Sequence, residues 1–341
     1  MKLKTCLLAA LLAVFVLLLL PNQAQAAEIV KSGTCGENLT WVLDSDGTLT
    51  ISGTGDMQDF SSHGAPWYAQ RKKITSLVIE EGVTGIGDRA FWDCKMMAVV
   101  TIPRSITRMG DHSFFNCEGL TDLYIPDLTA WFNIRFTNAE GNPVLHTKNL
   151  YVNGQLLTEL VIPEGITEIP RVVFSGYEAL TSVTIPTGIT KIGMGAFTNC
   201  TGLTSFAIPK GVTTIEPFAF GGCSNLTSVI IPEGVTTIGK YAFGNCSNIR
   251  SLTIPSTLVE IEEGAFDNCN ELKTVKYTGT ETQWDSILIS PTNNEPLLEI
   301  EPEFIPRPTT PGSLLWICLL AVGILAFGGA MAVWILRKKI P

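Results

Sequence analysis

Apolar residues return every 23 positions through much of the chain. Leu203, Phe206, Ile208, Val212, Ile215, Ala219, Phe220 and Cys223 reappear as Leu226, Val229, Ile231, Val235, Ile238, Ala242, Phe243 and Cys246. One step further gives Ile249, Leu252, Ile254, Ile261, Ala265, Phe266 and Cys269; one step back gives Leu180, Val183, Ile185, Ile189, Ile192, Ala196, Phe197 and Cys200. A period this strict predicts stacked repeats in which each unit buries its apolar side against the next, rather than a closed globule. Within a unit, Leu226 to Ile231 ends in β-branched residues and stops at Pro232, as a strand does where proline removes the next donor. Gly234 to Gly239 predicts a turn and a second short extended piece, and Tyr241 to Cys246 a short helical or 3₁₀ turn with Phe243 inside. Like strands then lie side by side, about 4.8 Å apart, in parallel sheets.

The array starts at Leu77 and runs through Cys94 and Cys117 into a third unit, Leu120 to Pro126, which then departs from the pattern. From Ile125 to the next matching position, Ile162, is 37 residues, one period plus 14. The added stretch holds Trp131, Ile134, Pro143 and Val144, then a hairpin signal at Tyr151-Val152-Asn153-Gly154. After the last repeat, Trp284, Ile287, Pro296 and Leu297 repeat that spacing, with 12 residues from Trp to Pro in both places. This predicts one small module used twice, once as an interruption and once as a C-terminal lid. Residues 27–73 lie outside the register. Trp41 to Leu43 and Leu49 to Ile51 predict two strands joined at Asp46-Gly47, capping the open end of the stack. Asp44 and Asp46 also echo the start of a calcium loop, but the later bidentate Glu is missing, so the hairpin reading is taken.

The recurring string Leu-Thr-Ser-Val-x-Ile-Pro-x-Gly-Val-Thr-x-Ile-Gly-x-x-Ala-Phe-x-x-Cys resembles the BspA-type leucine-rich repeat of bacterial surface proteins, over about residues 74–277. Gly33 to Gly53 is similar to the leader module that precedes such arrays. The resemblance implies a leucine-rich-repeat solenoid of parallel β strands with short helical turns, attached at the cell surface, with some family members binding host matrix proteins or other cells. It carries over no ligand residue, because the shared motif consists of core positions. A sortase-type Leu-Pro-x-Thr-Gly signal is missing before the terminal apolar segment.

The two ends place the protein in the cell. Lys2 and Lys4, the apolar run Leu7 to Leu20, and Ala24-Gln25-Ala26 predict a signal peptide over 1–26, cleaved after Ala26. Leu314 to Leu336 is 23 residues without a charge, followed by Arg337, Lys338 and Lys339, which predicts one transmembrane helix with its tail in the cytoplasm. The expected order is signal peptide 1–26, N-terminal β-hairpin cap 27–73, solenoid 74–277 with an insertion at about 127–156, lid 278–300, Pro-rich stalk 301–313, span 314–336 and tail 337–341. The partners are therefore the membrane, crossed once, and an extracellular protein or glycan. Residues 27–313 carry 18 basic and 32 acidic side chains, a net charge of −14, which disfavours nucleic acid.

Cys94, Cys117, Cys200, Cys223, Cys246 and Cys269 share one register. One cysteine per turn makes a structural ladder of small buried side chains pointing the same way, a poor geometry for bridging, so free thiols are expected. Cys35 is left as the odd one.

Chemistry is sparse. His63, His112 and His146 fall in no metal or triad spacing, and Glu262 with Glu263 reads as a solvated corner, so no catalytic, metal or cofactor residue is assigned and the chain is not read as an enzyme. The candidate binding surface is Trp67, Trp92 and Phe115, together with the outward hydroxyls Thr181, Ser182, Thr204, Ser205, Thr227 and Ser228. Trp92 and Phe115 occupy one register, where later repeats have Thr198, Gly221, Gly244 and Asp267; they form either a contact patch or packing under the N-terminal cap. The function expected is adhesion or ligand capture at the cell surface. A membrane-proximal scaffold or receptor is second, and an envelope hydrolase third.

Overall fold

Most repeats contribute one strand from the Leu-x-x-Val-x-Ile stretch and a shorter strand further along, and both pair in parallel with the same stretch of a neighbouring unit. The computed structural model describes residues 27–305. The stretches expected to be a signal peptide, 1–26, a transmembrane span, 314–336, and a cytoplasmic tail, 337–341, lie outside the described residues. Among those described, no helix is long and apolar enough to cross a membrane. Ser228, Ser251 and Thr274 stand side by side in one sheet, and Lys191, Thr214, Thr237 and Glu260 in another, so register follows the sequence period. Inward Leu, Val, Ile and Phe from successive units form one continuous core.

The rings of Phe174, Phe197, Phe220, Phe243 and Phe266 stack nearly parallel, 5.3 to 6.0 Å apart between neighbours. Trp67, Phe91 and Phe114 continue that column at the N-terminal end, with separations of 5.5 and 5.1 Å. The closing segments are turns, not the short helices expected. Tyr241 and Asn245 have φ of 53° and 60°, a left-handed conformation that no helix continues through. Their amides therefore bond across the stack: Phe220 donates to the Ala242 carbonyl at 2.8 Å and Phe243 to Ala265 at 2.9 Å. The residue before each ladder cysteine shares this conformation, and it is always Asp, Asn or Gly, the types that adopt it at least cost.

All seven described cysteines are free and buried. In five of the six ladder positions the thiol donates to the Phe carbonyl 26 residues earlier, as Cys246 does to Phe220 at 3.1 Å and Cys223 to Phe197 at 3.1 Å. This is a second reason for cysteine beyond its size.

The N-terminal cap has four strands rather than two, the fourth, Gly55–Asp56, pairing in parallel with Val83–Ile86 in the second sheet. Ile29–Thr34 adds antiparallel to Leu39–Asp44, which pairs antiparallel with Thr48–Gly53; the last then pairs in parallel with Ser76–Ile79 and starts the stack. Asp44 accepts the amides of Asp46 and Thr48 at 3.0 and 2.9 Å, holding the turn that the sequence predicts.

One strand is missing from the row: Leu203 to Ile208 forms none. Phe206 takes the place of Val183, Val229 and Leu252 and packs on Phe197 and Phe220, at 5.4 and 4.3 Å. The Phe206 ring is half-buried there, and this stretch makes no strand pairing.

The inserted module comprises a helix Leu128–Phe132, a strand Arg135–Phe136, a 3₁₀ turn Pro143–Leu145 and a strand Asn149–Val152. The lid repeats it as a helix Glu281–Trp284, a strand Leu288–Ile289, a helix Glu295–Leu298 and a strand Glu303–Phe304. The last strand pairs with Thr274–Tyr277, so residues 301–305 dock on the solenoid instead of beginning a stalk. The inserted copy is a joint between the two halves. Trp131 Nε1 donates to the Val173 carbonyl at 3.3 Å, and Asn142 Nδ2 to the Val172 and Val173 carbonyls at 2.8 and 3.2 Å. Phe132 packs edge-on against Phe174, the first ring of the second column.

Candidate recognition surface

On each long strand the residue between two inward side chains points out, so the sheet carries outward columns one residue wide. One column reads Val78, Thr101, Tyr124 and Tyr151 along paired strands, then Val161 and Thr184 in the following pair. It holds no charge. Tyr124 and Tyr151 lie face to face with ring centroids 4.6 Å apart and planes within 8° of parallel. The chain then turns at Asn153 and Gly154, with φ of 50° and 76°, and returns antiparallel so that Leu156 stands opposite Tyr151. Opposed residues on antiparallel strands share a face. Tyr124, Tyr151 and Leu156 therefore form one patch; Tyr124 and Leu156 are 37% and 47% exposed, on a face that also exposes Val161 and Ile230.

A polar edge flanks the patch. Asp122 and Asn149 are strand neighbours, with the Asn149 amide donating to Asp122 at 2.9 Å and the Thr121 hydroxyl to its other oxygen at 2.7 Å. Desolvation, then the Asp122 charge, holds the Tyr151 phenol above its ordinary pKa, so it stays protonated as a donor.

Of the residues singled out in the sequence, Trp67 leaves the surface. It is fully buried, stacked on Phe91 and edge-on to Trp41, with Nε1 donating to the Ala90 carbonyl at 2.8 Å. Trp67 is thus the side chain that closes the first turn. Trp92 and Phe115 stack at 4.2 Å with His112 beside them, half-buried on the closing turns. Thr181, Thr204, Ser205 and Thr227 are exposed and Ser182 and Ser228 half-buried, with Ser182 and Ser228 on strands and Thr204 and Ser205 in the unit that forms none. The structure does not bring these hydroxyls together with Trp92 and Phe115. The tyrosine pair escaped sequence reasoning because 27 residues separate Tyr124 from Tyr151, not 23.

The Glu262–Glu263 pair and His146 lie outside this surface. Glu262 accepts the Lys240 amide and Glu263 pairs with the Lys240 ammonium at 3.2 Å. His146 is partly buried, and desolvation lowers its pKa. Among the described residues no group of His, Cys, Asp and Glu could hold a metal ion.

The family model described as the BspA type leucine rich repeat region matches the chain in six copies, over residues 64–140 and 147–281. No curated protein matches. Several solved structures are similar at low identity. A leucine-rich repeat protein from Bacteroides ovatus is 21% identical, with 74% of this chain and 71% of that one covered and a TM-score of 0.49. One from Eubacterium ventriosum is 22% identical, covering 73% and 94%, with a TM-score of 0.37. The pneumococcal vaccine antigen PcpA is 14% identical, covering 78% and 98%, with a TM-score of 0.42.

Proposed function

The chain belongs to the BspA type leucine rich repeat family, and from that premise we propose that it is a non-catalytic cell-surface protein that recognises another protein through its outward sheet face. The observation that carries this reading is the Tyr124–Tyr151–Leu156 patch. Protein interfaces centre on uncharged, aromatic-rich cores with a polar rim. Here the centre is two tyrosines and a leucine, and the rim is Asp122, Asn149 and the neighbouring hydroxyls. The net charge of the ectodomain favours neutral or basic partners.

The test is an array of matrix proteins and glycans probed with the purified chain, followed by Tyr151→Ala and Trp92→Ala. Loss of at least about tenfold in affinity, roughly 1.4 kcal/mol, for Tyr151→Ala alone is the expected outcome. Binding untouched by Tyr124→Ala and Tyr151→Ala, or capture of glycans alone, would overturn the reading.

A second role, as a membrane-proximal receptor or scaffold, is supported by the docked strand Glu303–Phe304. Eight residues, 306–313, then separate the solenoid from the apolar segment that the sequence assigns to the membrane. Fully extended, they reach about 25 Å at about 3.1 Å per residue. Antibody labelling of intact cells would favour display; labelling only after wall removal would favour the proximal role.

A further inference from the structure

The joint and the lid are the same module, yet among the described residues one is covered by a following turn and the other is not. Alignment on Trp131 and Trp284 sets Asp285 where the joint has Phe132 and Glu295 where it has Asn142. Strand pairing completes the comparison, since Ile125 faces Val152 in the joint and Tyr277 faces Phe304 in the lid, which sets Pro302 where the joint has Leu150.

These three joint residues grip the next turn and are the gripping residues that the lid replaces; Trp131, kept in the lid as Trp284, also grips it through the Val173 carbonyl. Phe132 packs on Phe174, Asn142 donates to the Val172 and Val173 carbonyls, and the Leu150 amide donates to the Tyr177 hydroxyl at 3.2 Å. Each replacement cancels one grip. Asp285 puts a charge where a ring would have to be buried, and burying it unpaired is costly. Glu295 is an acceptor facing positions where a following turn presents carbonyls, which are acceptors too. Pro302 has no amide, so the strand edge shows no donor at the point where another strand would attach. Residues 278–305 contain no Lys or Arg to neutralise these carboxylates.

We propose that the lid is a stop form of the joint, in which Asp285, Glu295 and Pro302 end the solenoid and keep its C-terminal face from accepting a further turn or a second copy. The backbone of the module accepts a turn; three side chains decide whether one is allowed.

Two full-length variants in mild detergent test this. The first carries the stop residues into the joint, as Phe132→Asp, Asn142→Glu and Leu150→Pro. Limited proteolysis is expected to cut near residues 153–158 and leave the N-terminal fragment protected. Digestion of both halves together, or a pattern unchanged from wild type, overturns the proposal. The second carries the joint residues into the lid, as Asp285→Phe, Glu295→Asn and Pro302→Leu, alongside Leu298→Cys as a cross-linking handle in both this and the parent chain. Concentration-dependent cross-linking through position 298 is expected to rise at least about tenfold over the parent. A parent chain that already cross-links as strongly, or a folded variant that stays at the parent level, overturns it as well.

Discussion

Tyr177 bridges Leu150 to the second half of the solenoid: its hydroxyl accepts the Leu150 amide at 3.2 Å and donates to the Leu157 carbonyl at 2.6 Å. These groups face each other where the returning hairpin interrupts the row of parallel strands. Tyr177→Phe keeps the ring and removes the bridge, leaving a buried donor and a buried acceptor without their partner. The expected cost is about 1–3 kcal/mol. Thermal unfolding should shift down by several degrees, whereas Tyr151→Phe, on the surface, should leave the midpoint in place.

Trp67 and Trp92 are separated by the same kind of comparison. Trp67→Ala empties a site at the end of the aromatic column and is expected to destabilise by about 3–5 kcal/mol. Trp92 is half-buried beside Phe115, and its truncation should cost under about 1.5 kcal/mol. Urea unfolding of the two variants checks the contrast, and equal losses would place Trp92 under the cap.

The cysteine ladder predicts alkaline sensitivity. Burial raises the Cys94 thiol from 9.0 to about 12, and the other ladder thiols move in the same direction. Because the folded value exceeds the unfolded one, this contribution is complete below about pH 9 and is lost as pH climbs toward the folded value. Each buried thiol adds a slope of at most about 1.4 kcal/mol per pH unit in that window. Stability measured at pH 8 and pH 10 should fall steeply in the parent chain, and less steeply by one such share in Cys94→Ala.

Gly264 predicts a local effect on the lid. It sits at φ 64°, and a Cβ there would run into the Tyr241 ring, whose hydroxyl accepts from Asn293 at 2.9 Å. Gly264→Ala should displace that ring and release the Asn293 contact. Amide exchange in residues 278–305 should accelerate while the N-terminal half keeps its protection.

The repeat was legible because each core position recurs once per turn and is buried against the same position of its neighbours. The doubled module was legible too, since Trp131 and Trp284 carry their surroundings at matched offsets. Other features escaped for physical reasons. Of the two left-handed positions in a closing segment, the one before the cysteine is marked by Asp, Asn or Gly, but the earlier one differs in type from repeat to repeat, as with Phe218 and Tyr241, so no composition marks it. The Tyr124–Tyr151 pair depends on an insertion that returns to register after 27 residues, a length no period reveals. Trp67 was placed by its neighbours in the sequence, but its ring follows the column of Phe91 inward.

The docked strand Glu303–Phe304 also fixes how the molecule meets mechanical load. Any tension arriving through residue 306 enters at this pairing, which is two residues long and rests on the Phe304 ring against Tyr277. Pulled along the stack, such a strand peels away one bond at a time, so it should yield before any complete turn does. Its release would lengthen the tether by five residues, 301–305, and leave the rod behind it intact.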